Sequence, residues 1–318
     1  MAVLRTPDGR FDGLPGYPWD PRYVEVGWGD GAPVRMHYVD TGPVGAPVVL
    51  LLHGQPTWSY LYRDTLSTLA GRGLRAIAPD HIGYGRSDKP DEPSEYTFDR
   101  HIDALADLVT ALDLQEVTLV AQDWGGPIGL AVLARHPDRF ARVVATNTVL
   151  HTSDADLDGR LAWANHRGSD GRVVLQEALV DYVRFCQRAP ELQASSFVEA
   201  VAGPLTADVR AAYDAPYPDR RFQAGLKQMT SLIPLTGNDP GAAINRHTMA
   251  VLATWTRPFL TAYSDGDPAT GGWDSVFRDG VPGAVGQPHV TIAGAGHFVP
   301  EQRGAELGRL IADFVAST

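Results

Sequence analysis

The stretch 117-VTLVAQDWGG-126 decides how the rest of the chain reads. Val117 to Ala121 is a short apolar run bounded by turn residues, which reads as a strand, and Gly125 to Arg135 carries the helical period. Between them, Gln122-Asp123-Trp124-Gly125-Gly126 allows only a sharp turn, whose small flanking residues let the chain reverse and thrust one side chain, that of Asp123, outward. Ala121 stands where such turns usually have a first glycine. The plainer reading of Asp123 is a helix N-cap, a common role for aspartate.

Outward from this stretch, further apolar runs at Val34–Val39, Val48–Leu52, Leu74–Ala78, Val143–Thr146, Phe259–Tyr263 and His289–Ile292 read as strands. Helix-period segments such as Tyr96–Leu112 lie between several of them. That alternation predicts an α/β fold, a mostly parallel eight-stranded sheet with helices on both faces. The turn 27-GWGDGAPVR-35 predicts a hairpin at the start. From about His151 to Pro234 the rhythm changes to helical patches broken by proline (APEL, AGPL, DAPYPD), with no run of central-strand character. The chain therefore divides into a core, 1–150 and 235–318, and a helical insert, 151–234. An insert between two strands falls over their carboxyl ends, where open α/β sheets bind ligands, so it reads as a lid or cap.

Composition narrows the class. The chain has 318 residues, 44% of them hydrophobic and 20% charged, enough for one sizeable core and unlike a disordered or fibrous chain. A net charge of −11, with 27 basic residues scattered along the sequence, argues against a nucleic-acid surface and for small-molecule partners. The single cysteine, Cys186, allows no intrachain disulfide, and no apolar run approaches a membrane span. A soluble protein of the reducing cytoplasm, monomer or homodimer, is expected.

Three more segments complete a chemical constellation. Gly294-Ala295-Gly296-His297-Phe298 follows a strand and sets an imidazole on a glycine-rich loop. A lone histidine is more often structural than catalytic. The strand Phe259–Tyr263, however, ends in Ser264-Asp265-Gly266-Asp267-Pro268, and either carboxylate could hold the imidazole in one tautomer. The order nucleophile, acid, histidine is that of α/β-hydrolases. In that fold the loop after an early strand, here His53-Gly54-Gln55-Pro56, supplies one backbone N–H of an oxyanion hole, at Gln55, and the residue after the nucleophile, Trp124, supplies the other. The nucleophile then narrows the reaction. A carboxylate is already ionised at neutral pH and can displace a leaving group from saturated carbon, forming an ester that water activated by His297 must hydrolyse.

The segments 53-HGQPTWSYLYR-63, 79-PDHIGYGRSDKP-90, 122-QDWG-125, 213-YDAPYPD-219 and 294-GAGHF-298 together resemble the haloalkane dehalogenases over nearly the whole chain. The loop Gly266-Asp267-Pro268 is similar to the family's G-x-D-P type loop, so the resemblance implies Asp267 rather than Asp265 as the acid. No carboxylate stands in Ala145–Leu150, the alternative position. It further implies hydrolysis of carbon–halogen bonds to alcohol and halide without a cofactor, a small apolar halogenated substrate, and two indole N–H donors on the departing halide. Trp124 fills the first position. Family members of this type carry Trp in the lid and Glu after the His-Gly pair, where alignment sets Tyr182 and Gln55. Trp163 could supply an indole from a neighbouring turn.

Two rival functions remain at this stage. An epoxide hydrolase shares the Asp nucleophile and His base and needs an acid for its leaving alkoxide, a role open to Tyr182, Tyr213 or Tyr217. A ligand-binding hydrolase fold without turnover is the alternative from another class. Gly83-x-Gly85 beside Arg86 lacks the spacing of a phosphate loop, and neither a metal-ligand cluster nor a dinucleotide fingerprint is present in the sequence, so no metal or cofactor is expected.

Overall fold

The computed structural model of the protein describes residues 2–152 and 175–318. An eight-stranded sheet runs through it: β1 (Arg22–Val26), β2 (Val34–Thr41), β3 (Val48–Leu52), β4 (Arg75–Pro79), β5 (Val117–Gln122), β6 (Phe140–Thr146), β7 (Phe259–Ser264) and β8 (Val290–Ile292). Their spatial order is β8-β7-β6-β5-β3-β4-β2-β1. β2 is antiparallel to both β1 and β4, and every other pairing is parallel. The hairpin expected at Gly27–Arg35 is the β1–β2 pair, with Val26 opposite Val34. As an edge strand β1 buries only Val26 fully, so its Arg-Tyr-Val-Glu-Val lacks the continuous apolar run of a central strand. A two-residue ribbon, Val3–Leu4 against Lys89–Pro90, had no such signal either.

The helices are α1 (Arg63–Gly71), α2 (Phe98–Ala111), α3 (Gly125–Arg135), α4 (Leu175–Arg188), α5 (Ala194–Ala202), α6 (Ala207–Asp214), α7 (Ala224–Ser231), α8 (Pro240–Leu252), α9 (Asp274–Gly280) and α10 (Val299–Ser317). α2 opens where Thr97 turns its hydroxyl back to accept the Arg100 N–H, closing one orphan donor of the first turn. Alternate residues of the central strands feed two apolar layers. On one face Leu50, Leu52 and Leu119 pack with Ile102 and Leu105 of α2 and Ile128 of α3. On the other, Val49, Leu51 and Val120 pack with Leu66 of α1 and with Leu307 and Ile311 of α10. Each such side chain contributes about 1.5–3 kcal/mol by leaving water, which makes the sheet a rigid platform for whatever its carboxyl ends carry.

Helices α4–α7 lie in the insert between β6 and β7. They are tied to the core through polar contacts as well as packing. Trp58 Nε1 donates to Ala212 O at 3.1 Å, Thr6 Oγ1 to Pro216 O at 2.7 Å, and the Tyr213 hydroxyl to Glu301 Oε2 at 2.5 Å. Glu301 also takes a two-pronged ion pair from Arg63, at 2.6 and 2.7 Å. No helix among the described residues is long and apolar enough to cross a membrane.

Candidate active site

Asp123 follows β5 directly, in a conformation aspartate seldom adopts, with φ at +49°. The strain is held by its neighbours. Asp123 N donates to Asn147 O at 2.9 Å, and Asp123 O accepts from Gly126 N at 2.9 Å and from Thr148 Oγ1 at 2.6 Å. The turn is tight enough that a Cβ on Gly125 would stand 2.2 Å from Leu52 O, and one on Gly54 would stand 2.1 Å from Asp123 Oδ1, so neither position tolerates a side chain. The carboxylate does not cap α3, which has no side-chain cap. Its Oδ1 instead accepts the Gln55 backbone N–H at 2.7 Å, and its Oδ2 lies 3.2 Å from His297 Nε2. Of the two backbone donors expected, Gln55 thus contacts the carboxylate.

The other ring nitrogen of His297, Nδ1, faces Asp267 at 3.0 Å from Oδ1 and 3.2 Å from Oδ2. Asp267 is buried and further held by the Ala269 N–H at 2.8 Å and by the Thr270 hydroxyl. Asp265, two residues earlier, is exposed and accepts the Gly294 N–H at 2.9 Å, away from the imidazole. Burial works to discharge His297, but Asp267 and Asp123, through charge and hydrogen bonds, outweigh it and push its pKa up to about 10. Burial likewise raises the Asp267 carboxyl. The His297 charge and the hydrogen bonds around it more than offset that and hold it below its ordinary value.

Two residues that the sequence reading did not single out join these parts. Asn147 (φ +42°), in the segment without a carboxylate, donates from Nδ2 to Ser264 Oγ at 2.7 Å and to Gly296 O at 3.0 Å, and its Oδ1 accepts the Ser264 N–H at 2.9 Å. It therefore binds the turn of Asp123 to the end of β7 and to the loop of His297. Gln122, fully buried, places its amide nitrogen 3.1 Å from His297 O and 3.3 Å from His297 Nε2. The sequence marked Gln122 only as part of the segment 122-QDWG-125, without a role, and Asn147 only as a polar residue at a strand end. The Gly83-x-Gly85 loop, by contrast, winds around a carboxylate. Asp80 takes the N–H groups of Ser59 and Arg86 at 2.7 and 2.8 Å, where a phosphate loop would hold its ligand.

Asp123, His297, Trp124, Gln55 and Tyr182 all line one cavity of about 450 Å³, together with apolar groups such as Phe197 and Ile233. The family model for the alpha/beta hydrolase fold matches residues 47–213. A haloalkane dehalogenase from Psychrobacter cryohalolentis is 41% identical over 99% of this chain and 98% of its own length. Haloalkane dehalogenase 1 of Mycobacterium tuberculosis is 42% identical over the whole of both chains. Among solved structures, the tetrameric haloalkane dehalogenase of Paraglaciecola agarilytica superposes with a TM-score of 0.84 at 31% identity, over 98% of this chain and 97% of that one. The chain is a haloalkane dehalogenase family member.

Within that family setting, the two positions expected to depart from the pattern have definite surroundings. The side-chain amide of Gln55 is committed on both sides: Nε2 donates to Leu226 O of α7 at 2.9 Å, and Oε1 accepts the Tyr84 hydroxyl at 2.5 Å. The Tyr182 ring stacks edge-on with Phe197 at 6.1 Å, and burial holds its phenol far above its ordinary pKa, so it is a neutral donor. Trp124 packs edge-on against Phe98 at 5.5 Å. Trp163 lies outside the described residues.

Proposed function

We propose that this enzyme of the haloalkane dehalogenase family hydrolyses carbon–halogen bonds through a covalent ester on Asp123, with His297 as the base and Asp267 as its partner. One observation carries the reading: His297 faces Asp123 on Nε2 and Asp267 on Nδ1, beside a cavity with largely apolar walls. In the first step an Asp123 oxygen attacks the halogen-bearing carbon, the C–O bond forming as the C–halogen bond breaks and the halide leaves with the electron pair. Trp124 Nε1–H and the Tyr182 hydroxyl solvate that charge. In the second step water attacks Cγ of the ester and gives its proton to His297 Nε2, while charge collects on the oxygen beside the Gln55 N–H. Collapse of this intermediate releases the alcohol, which takes its proton from His297. Asp267 accepts from Nδ1–H throughout, keeping Nε2 aimed at the reaction. In this reading the insert helices α4–α7 serve as the cap of the cavity, where Tyr182 and Phe197 contribute to its wall and limit the access of bulk water. Epoxide opening retains one point in its favour, the neutral Tyr182 phenol on the cavity wall.

The test is to separate the two steps. His297→Phe incubated with 1,2-dibromoethane should accumulate a substrate-derived adduct on the peptide carrying Asp123, read by mass spectrometry. An unmodified peptide from a folded variant, with wild type active on that substrate, refutes the ester. Diol from an epoxide with no halide from any haloalkane would transfer the site to the epoxide reading.

A further inference from the structure

Nothing in the two steps above uses Gln122, yet its side chain is completely buried against the base. Its amide nitrogen lies 3.1 Å from the His297 carbonyl and 3.3 Å from ring Nε2, and its Oε1, also buried, has no hydrogen-bond partner among the described residues. The orientation of the amide is forced. A carbonyl oxygen only accepts, so the group facing His297 O must be the NH2, whose two hydrogens diverge in one plane. With one hydrogen on His297 O, the other is turned toward Nε2.

We propose that Gln122 is a positioning residue for the base: it pins the His297 backbone and turns an N–H toward Nε2, so that this nitrogen stays an acceptor for the proton of the hydrolytic water. The inference rests on the proposed two-step function and adds to it. The titratable groups facing the ring are Asp123 from the turn after β5 and Asp267 from the loop after β7, and both favour the protonated imidazole. Once Asp123 is an ester its charge is gone, and Asp267 alone holds a proton, on Nδ1. Gln122 then turns a donor toward Nε2, which lowers the affinity of that nitrogen for a proton before water attacks while its lone pair remains available to the water. The neutral, Nδ1–H tautomer that hydrolysis requires is thereby favoured at the moment it is needed.

The experiment compares wild type with Gln122→Met, which removes the donor at similar volume, and Gln122→Glu, which is isosteric and replaces it with an acceptor. Single-turnover reactions with 1,2-dibromoethane, quenched across roughly pH 6 to 10, follow formation and loss of the Asp123 ester. Ester formation should change less than about threefold. Ester hydrolysis at neutral pH should slow about tenfold or more in Gln122→Met, with its acid limb displaced upward by about one pH unit, and further in Gln122→Glu, whose carboxylate retains the proton on Nε2. NMR titration of the His297 ring in the resting proteins should show the same upward order without any turnover. Equal slowing of both steps, or acid limbs and ring midpoints that coincide with wild type in both variants, overturns the proposal. A wild type that forms no ester at all sinks the two-step function instead, and the ring midpoints still decide the role of Gln122.

Discussion

Asp265 and Asp267 are two residues apart on one loop, and only their surroundings make one of them a partner for His297. Asp267 is buried, holds Nδ1 at 3.0 Å and is braced by Ala269 and Thr270, whereas Asp265 is spent on the Gly294 N–H. Under the proposed mechanism, Asp267→Asn should leave ester formation nearly unchanged, because the nucleophile is untouched, while slowing ester hydrolysis by roughly three to four orders of magnitude, the scale on which a triad acid acts through the tautomer of its histidine. Rapid-quench measurement of the two rates checks this. A comparable defect in Asp265→Asn with none in Asp267→Asn would assign the role to Asp265 instead.

At the scale of elements, the question is what holds the insert helices against the core. The junction around Glu301 is a charged link between them: α10 presents the carboxylate, Arg63 at the start of α1 grips it with two hydrogen bonds, and Tyr213 of α6 donates a third. These contacts are unequal. In Tyr213→Phe the Glu301–Arg63 pair survives, so the loss is one hydrogen bond to a charged group, about 1.5–3 kcal/mol. Arg63→Ala instead leaves Glu301 buried without its counter-charge, which costs about 3–5 kcal/mol. Urea unfolding of both variants should rank them in that order. A smaller loss in Arg63→Ala than in Tyr213→Phe would mean that the carboxylate is hydrated or protonated once unpaired.

Over the whole molecule, two buried cationic groups respond to alkaline pH in opposite senses. His297 titrates at about 10 in the folded chain and near 6.5 when unfolded, so its contribution to stability is complete below pH 6.5 and is lost as pH rises to 10. Lys89, whose ammonium donates to Gly85 O and Ser87 O, is pushed by burial down to about 7 against the pull of Asp80 and Asp88. Its unfolded value lies near 10.4, so it destabilises the fold below pH 7 and that penalty is relieved as pH rises toward 10.4. The two effects offset one another between about pH 7 and 10. Measured against wild type in this window, His297→Phe should gain stability with rising pH and Lys89→Met should lose it. Denaturant midpoints at several pH values test both signs, and parallel pH profiles for wild type and both variants would contradict them.

The sheet and its order of functional loops were readable from the chain because the signals are local. Val117–Ala121 is apolar because β5 is buried on both faces, and small residues follow because the turn at Asp123 has no room for a Cβ at Gly125. A strand's period and a turn's steric demand are set within a few residues, so Asp123, His297 and the family resemblance could be found without coordinates. Edge strand β1 escaped the apolar-run test because solvent takes most of its side chains. The family resemblance already pointed to Asp267 over Asp265, but the hub at Asn147 and the contact of Gln122 with a histidine 175 positions away were decided only in three dimensions. These depend on the adjacency β5-β6-β7-β8, which brings four carboxyl-end loops together, and no local pattern encodes which loops will meet. The same holds for Gln55, whose side chain is claimed by Tyr84 and by Leu226 of α7: the sequence determined that an amide stands there, and packing alone decided where its donor and acceptor point.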